Sequence, residues 1–102
     1  MSSISSFSIP ASHPALAGHF PANPIVPGVV ILEAVIQAAQ QHSGCPVNGI
    51  RKSKFVQILR AEERVNIEFG DIKDQRLRFK CLKTSDGSLL GEGNLTLGTT
   101  FP

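Results

Sequence analysis

The 102-residue chain is poor in cysteine, in net charge and in long apolar stretches, and each shortage excludes a class of protein. Its two cysteines form no Cys-x-x-Cys pair and have no histidine at zinc-ligand spacing, so neither a disulfide framework nor a metal site is expected. A net charge of +2 is too small to indicate nucleic acid as a partner. No segment approaches the roughly 20 apolar residues of a membrane span. The first nine residues lack the basic group of a secretory signal. We therefore expect a cytoplasmic protein with no cofactor and no membrane partner.

The composition is that of a packed globular protein, with 41% hydrophobic and 18% charged residues. The length allows one domain, residues 1–102. A domain this small buries only about 60 to 65% of its unfolded surface, so self-association would help to stabilise it.

A helix is predicted to begin at Gly28, after a loop over 13–27 that contains four prolines. About 14 mostly aliphatic residues follow, and the segment Ser43-Gly44-Cys45-Pro46 ends them. Apolar residues cover most of the circumference of this helix, which is typical of a helix enclosed by protein.

Strands are predicted on either side of the helix. A short strand is expected at 3–9, an irregular one at 50–59, and alternating apolar residues indicate half-buried strands at 65–69 and 77–81. Another is expected at 89–97, after an Asp86-Gly87 hairpin signal. One strand, one helix and a meander of antiparallel strands predict an α+β fold with the sheet curled around the helix.

Two ionisable residues stand out near the start of the helix. His19 lies in the proline-stiffened loop, and an imidazole can accept a proton near neutral pH. Glu33 is the only charged residue in the aliphatic part of the helix, where desolvation would favour a neutral carboxyl able to act as a general acid. The alternatives are a surface or packing histidine, and a solvated stripe formed by Glu33 with Gln37 and Gln40 or Gln41.

Pro27-Gly28 gives the helix start a third possible role. Unpaired backbone N–H groups and the positive end of the helix dipole could stabilise a carbonyl oxygen that gains negative charge, and glycine allows close approach. A plain helix-start signal is the alternative. A base, an acid and an oxyanion donor together fit one class of reaction. In it a proton is removed from the carbon next to a thioester carbonyl, and a β-hydroxyl is lost.

The segment from Gly18 to Gln37 closely resembles the signature of FabZ/FabA-type 3-hydroxyacyl-[acyl carrier protein] dehydratases. It has Gly-His-Phe-Pro, two further prolines of which the second begins Pro27-Gly28, and a helix bearing Glu-Ala with a glutamine one turn later. The resemblance implies that His19 removes the α-proton and that Glu33, fourteen positions later, handles the departing hydroxyl. It also implies that the Gly28 N–H polarises the thioester carbonyl and that Gln37 supports Glu33. Phe20, Pro27 and Val29 are further candidates for substrate binding.

The resemblance further implies a hot-dog fold, a curved antiparallel sheet around a long central helix. Active sites in that family form between two subunits, so a homodimer is expected, and a trimer of dimers is also possible. The chain has no tyrosine, so the tyrosine that gates the acyl tunnel in some relatives is missing. A compact enzyme of fatty-acid or specialised polyene or polyketide synthesis is expected, acting on a substrate bound to acyl carrier protein.

Two other functions remain open. The hot-dog fold also hosts acyl thioesterases, and a non-catalytic subunit that binds carrier protein could keep the same scaffold. Basic residues concentrate in the strand region and could dock an acidic carrier protein, although alternating charges on strands are usually a solvated face. They are Arg51, Lys52, Lys54, Arg60, Arg64, Arg76, Arg78 and Lys80.

Overall fold

A computed structural model describes residues 4–16 and 25–99 of the chain. The elements in order are strand β1 (Ile4–Phe7), a short 3-10 helix (Pro14–Leu16), helix α1 (Gly28–Ser43), and strands β2 (Val47–Phe55), β3 (Val65–Phe69), β4 (Arg76–Lys83) and β5 (Leu89–Leu97). The strands form one sheet in the order β1-β3-β4-β5-β2, and every neighbouring pair is antiparallel. The α+β class is thus confirmed.

Local backbone chemistry sets both ends of α1. Pro27, just before the helix, has an extended backbone with φ −63° and ψ 147°. Gly44, just after it, takes the left-handed conformation with φ 71°, and its N–H donates to the Gln40 carbonyl oxygen at 2.9 Å. The predicted helix is therefore confirmed at both ends.

The core lies between one face of the sheet and one side of α1. Alternate residues of β3 and β4 are buried, as their sequence pattern predicts, whereas the residues between them point outwards. The helix contributes Val30, Ile31, Val35 and Ala39 to the same core. Each is 4% exposed or less, so this side of the helix is fully covered.

Strand β2 differs most from its prediction. The strand covers Val47–Phe55, whereas 50–59 was expected, and two register shifts against β5 interrupt it. Beyond Phe55 the Val56 N–H still donates to the Leu90 carbonyl at 2.8 Å. The chain then pairs with the segment before the helix, where the Val26 N–H donates to the Leu59 carbonyl at 2.8 Å. β1 is also shorter than the predicted 3–9.

None of the helices within 4–16 and 25–99 is long and apolar enough to cross a lipid bilayer.

Candidate active site

His19 and Phe20 fall within 17–24, outside the described residues, so their predicted roles remain predictions. The chain on either side is firmly held. Leu16, before this stretch, and Val26, after it, are both buried in the core. Ile25 also forms an isolated antiparallel bridge with Arg60.

The other two histidines of the chain have structural contacts. The Nδ1 atom of His13 accepts the Ala15 N–H at 3.0 Å. The ring of His42 stacks on Phe69, with 4.8 Å between ring centroids. His13 and His42 therefore both make contacts within the fold.

Glu33 lies on an exposed stripe of α1. Val29, Glu33 and Gln37 follow one another at intervals of four residues, share a face, and are all exposed. The sheet of the same chain covers only the opposite face of α1. A single chain therefore does not enclose the helix on most sides, contrary to what the sequence predicted. The predicted desolvation of Glu33 would need cover from a second chain.

The glutamines of the helix divide into two roles. The Oε1 atom of Gln40 accepts the Val47 N–H at 3.1 Å, which ties the end of the helix to the start of β2. Gln37 is exposed one turn after Glu33, and no hydrogen bond joins these two side chains within the described structure. Gln37 therefore remains a candidate, and Gln40 serves the fold.

The start of α1 leaves backbone donors available. The Pro27 carbonyl accepts the N–H groups of Val30 at 3.0 Å and of Ile31 at 3.3 Å. Among the described residues, the Gly28 and Val29 N–H groups donate no hydrogen bond. These donors stand at the positive end of the helix dipole, as an oxyanion site requires.

The ring of Phe55 fixes the position of this helix start on the sheet. A Cβ atom added to Gly28 would lie 3.4 Å from Cδ2 of that ring, which is an ordinary contact distance. On the other side, a Cβ atom on Gly91 in β5 would overlap the ring and lie 2.7 Å from the Lys54 carbonyl oxygen. Phe55 thus fills the space between Gly28 and Gly91, and sequence reasoning did not assign it a place in the site.

An exposed apolar rim surrounds the helix start. Val29 is 64% exposed, and Val56 and Ile58 are each 54% exposed. The contacts of Phe55 with Gly28 and of Leu59 with Val26 bring these three residues to the same end of the helix. Val56 and Ile58 were predicted only as parts of a strand. Both lie beyond Phe55, where β2 ends.

The buried thiol of Cys81 and the metal-binding residue types of the described ranges add no reactive group to the site. Burial raises the pKa of the Cys81 thiol to about 12, so this group is not a nucleophile at neutral pH. Within the described ranges, no three His, Cys, Asp or Glu residues come together to hold a metal ion. The described part of the site therefore consists of a carboxyl, backbone donors and an apolar rim.

Comparison with known proteins gives this arrangement a context. Residues 2–94 match the ApeI-like family, described as ApeI dehydratase. The 3-hydroxyacyl-[acyl-carrier-protein] dehydratase FabZ of Chlamydia trachomatis is 34% identical over 84 residues, which cover 79% of this chain and 55% of the relative. The chain thus spans about half the length of the curated relatives it matches.

Solved structures show the same fold. A dehydratase heterocomplex, ApeI:P from Xenorhabdus doucetiae, superposes with a TM-score of 0.78 at 22% identity, covering 96% of this chain and 88% of that one. An N-terminal dehydratase from the difficidin assembly line gives a TM-score of 0.70 at 16% identity, covering 100% of this chain and 40% of that one. The hot-dog fold is confirmed.

Proposed function

The chain belongs to the ApeI-like dehydratase family, and from this membership we propose that it dehydrates a 3-hydroxyacyl thioester to the trans-2-enoyl thioester. The observation that carries the proposal is the family match over residues 2–94, which includes both His19 and Glu33. The exposed carboxyl and the backbone donors at the helix start support it.

In the proposed mechanism the imidazole of His19 removes the proton from the α-carbon. The electron pair left there forms the carbon–carbon double bond as the bond from the β-carbon to its hydroxyl breaks. Glu33 donates a proton to that hydroxyl, which leaves as water. The Gly28 N–H stabilises the negative charge that develops on the thioester oxygen.

The proposed site needs two chains. The exposed stripe with Glu33 and the exposed rim of Val29, Val56 and Ile58 would be covered by a second subunit, whose His19 meets this Glu33. We propose a homodimer as the minimal unit, with a trimer of dimers as the larger assembly. The Xenorhabdus structure is a heterocomplex, so a different second chain is the alternative.

The proposed setting is cytoplasmic fatty-acid synthesis or a specialised polyene or polyketide pathway. The substrate would be carried by acyl carrier protein, as the name of the Chlamydia relative states for that enzyme. Residues 1–102 would act as a single domain. Phe20, Pro27 and Val29 would line the substrate path, and Gln37 would support Glu33 by hydrogen bonding.

The experiment is to incubate the protein with a 3-hydroxyacyl thioester and to measure the enoyl product. We expect His19→Ala and Glu33→Gln each to reduce turnover by roughly 100-fold or more, since general acid–base groups contribute about 100- to 10,000-fold. Lys73→Ala, an exposed position in the loop between β3 and β4, serves as the control and should retain full activity.

Two other outcomes would each identify an alternative function. Release of free thiol without an enoyl product would indicate a thioesterase. Carrier binding without turnover on any acyl chain would indicate a non-catalytic subunit. Full activity in His19→Ala would show that His19 is not the base and would refute the proposed mechanism.

A further inference from the structure

Two phenylalanine rings cover the two buried glycines of β5. Phe55 in β2 lies directly opposite Gly91, and Phe79 in β4 lies directly opposite Gly93. A Cβ atom added to Gly91 would overlap the Phe55 ring, and one added to Gly93 would lie 2.9 Å from Cε1 of Phe79. Each ring therefore occupies the space that a side chain at its glycine would otherwise take.

The two rings differ in what lies beyond the glycine. Phe79 is 0% exposed, whereas Phe55 is only partly buried. The Cδ2 and Cε2 atoms of Phe55 lie 3.4 and 3.5 Å from the position of a Cβ atom on Gly28. Val56, the residue after Phe55, belongs to the exposed rim beside the helix start. Phe55 thus lies at the boundary between the core and the candidate site, and Phe79 lies inside the core.

The Phe55 ring is within reach of a thioester bound at the helix start. Bond geometry separates the Gly28 nitrogen from its Cβ position by about 2.5 Å, so the edge of the ring lies within about 6 Å of that nitrogen. A carbonyl oxygen that accepts the Gly28 N–H would lie about 2.9 Å from the nitrogen. The α-carbon is about 2.4 Å from this oxygen, and therefore within about 5.5 Å of the same nitrogen. The ring and the α-carbon thus share the space around one backbone donor.

The ring has little room to move away from a bound substrate. Its Cδ1 side is packed so closely on Gly91 that no side chain would fit between them. The Lys54 carbonyl oxygen, 2.7 Å from the same Cβ position, closes that side of the sheet. A close-packed wall of this kind does not yield to an added methyl group without strain.

We propose that Phe55 is a specificity-determining residue, whose ring excludes substrates with a methyl branch on the α-carbon. The inference rests on the proposed dehydratase function and adds a substrate class to it, the 3-hydroxyacyl thioesters with two hydrogens on the α-carbon. One of these hydrogens is the proton that leaves, and the other holds the position that a branch would take. One methyl group more or less in an apolar pocket changes discrimination by about 10- to 200-fold.

The test compares the turnover of two N-acetylcysteamine thioesters, 3-hydroxybutyryl and 2-methyl-3-hydroxybutyryl. Each epimer at the branched carbon is assayed separately, because only one of them presents its remaining proton to the base. We expect the wild type to prefer the unbranched substrate by about tenfold or more in kcat/KM. In Phe55→Leu, which removes the ring, this preference should fall by about tenfold. Phe55→Met, whose flexible side chain still fills the space over Gly91, should lower it as well and serves if the leucine variant does not fold.

Phe79→Leu is the matched control for these variants. It removes the same kind of ring from the neighbouring glycine of β5, but at a position enclosed by the core. The urea midpoint of unfolding should fall because buried volume is lost. The preference between the two thioesters should remain that of the wild type.

Binding of unreactive thioesters separates this inference from the proposed function. The butyryl and 2-methylbutyryl thioesters of N-acetylcysteamine have no hydroxyl to lose, and NMR titration gives their dissociation constants. The wild type should bind the unbranched thioester more tightly, and Phe55→Leu should remove the difference. That result without turnover of any 3-hydroxyacyl thioester would leave the specificity residue standing and refute the dehydratase.

Three results would overturn the inference. The first is a wild type that binds neither thioester or treats the branched and unbranched compounds equally. The second is an unchanged preference in both Phe55 variants, with turnover of the two substrates reduced to the same extent, which would assign the ring to packing alone. The third is an equal change of preference in Phe79→Leu.

Discussion

Two glycines lie against the ring of Phe55, and they should respond in opposite ways to the same substitution. In Gly28→Ala the added Cβ meets the ring at 3.4 and 3.5 Å, so the fold accepts it, and alanine favours the helix. We expect the thermal midpoint to stay the same or rise. Turnover should nevertheless fall roughly 10- to 100-fold, because the methyl group blocks close approach of the thioester to the backbone donors.

Gly91→Ala is the matched control for that experiment. Its Cβ overlaps the Phe55 ring and lies 2.7 Å from the Lys54 carbonyl oxygen, so the strand must shift. Overpacking of this kind costs about 1 to 3 kcal/mol of unfolding free energy. Urea denaturation measures both variants. A Gly28→Ala protein that is stable and fully active would contradict the proposed role of this helix start.

The candidate site was only partly predictable from single residues. The helix start at Gly28 and the shared face of Glu33 and Gln37 follow from local sequence, because helix geometry relates residues four apart. The contact of Phe55 with Gly28 and Gly91 does not, because it joins three elements that are distant in the chain. The exposure of Glu33 was one of two alternatives that the sequence left open, since burial depends on which surface the sheet covers.

At the scale of the elements, the turn between β3 and β4 contains backbone strain that one substitution should relieve. Asp74 and Gln75 form its two-residue turn with φ of 53° and 62°, and Lys73 and Arg76 exchange hydrogen bonds at 3.1 and 2.9 Å across it. Glycine is preferred at the second position of such a turn. Gln75→Gly should therefore raise the unfolding free energy by about 0.5 to 1 kcal/mol. The Gln75 carbonyl, which accepts the Leu97 N–H at 2.7 Å, is kept.

The measurement is the urea concentration at the midpoint of unfolding. The slope of the unfolding free energy against urea concentration should stay unchanged. Lys73→Gly, in the same hairpin but without a positive φ, should give no gain. Equal stabilisation by both substitutions would show that the left-handed backbone at Gln75 is not the cause.

The elements also show why strands differ in how well a sequence predicts them. β3 and β4 are covered on one face only, so their residues alternate between buried and exposed. β2 is an edge strand with two register shifts, and its residues from Ile50 to Lys54 are all exposed. Its sequence carries no period of two, and its predicted end was wrong because Val56 to Leu59 leave the sheet towards the segment before the helix.

At the scale of the whole molecule, one chain leaves uncovered the surface that the proposed chemistry uses. Glu33 is exposed, and so are the apolar residues Val29, Val56 and Ile58 beside the helix start. If a second copy covers this surface, each site takes its base from one subunit and its acid from the other. A closed dimer of this kind has two equivalent sites.

Mixing two inactive variants tests this arrangement. A mixed dimer of His19→Ala and Glu33→Gln has one site with both native groups and one site with neither. When the two variants are unfolded and refolded together in equal amounts, about half of the dimers are mixed. Each mixed dimer has one complete site of two, so turnover should return to about a quarter of the wild-type value. Mixing His19→Ala with the double variant His19→Ala/Glu33→Gln should restore nothing, because no subunit then supplies the imidazole. Failure of the first mixture to recover activity, with mixed dimers shown by native mass spectrometry, would mean that base and acid come from the same chain.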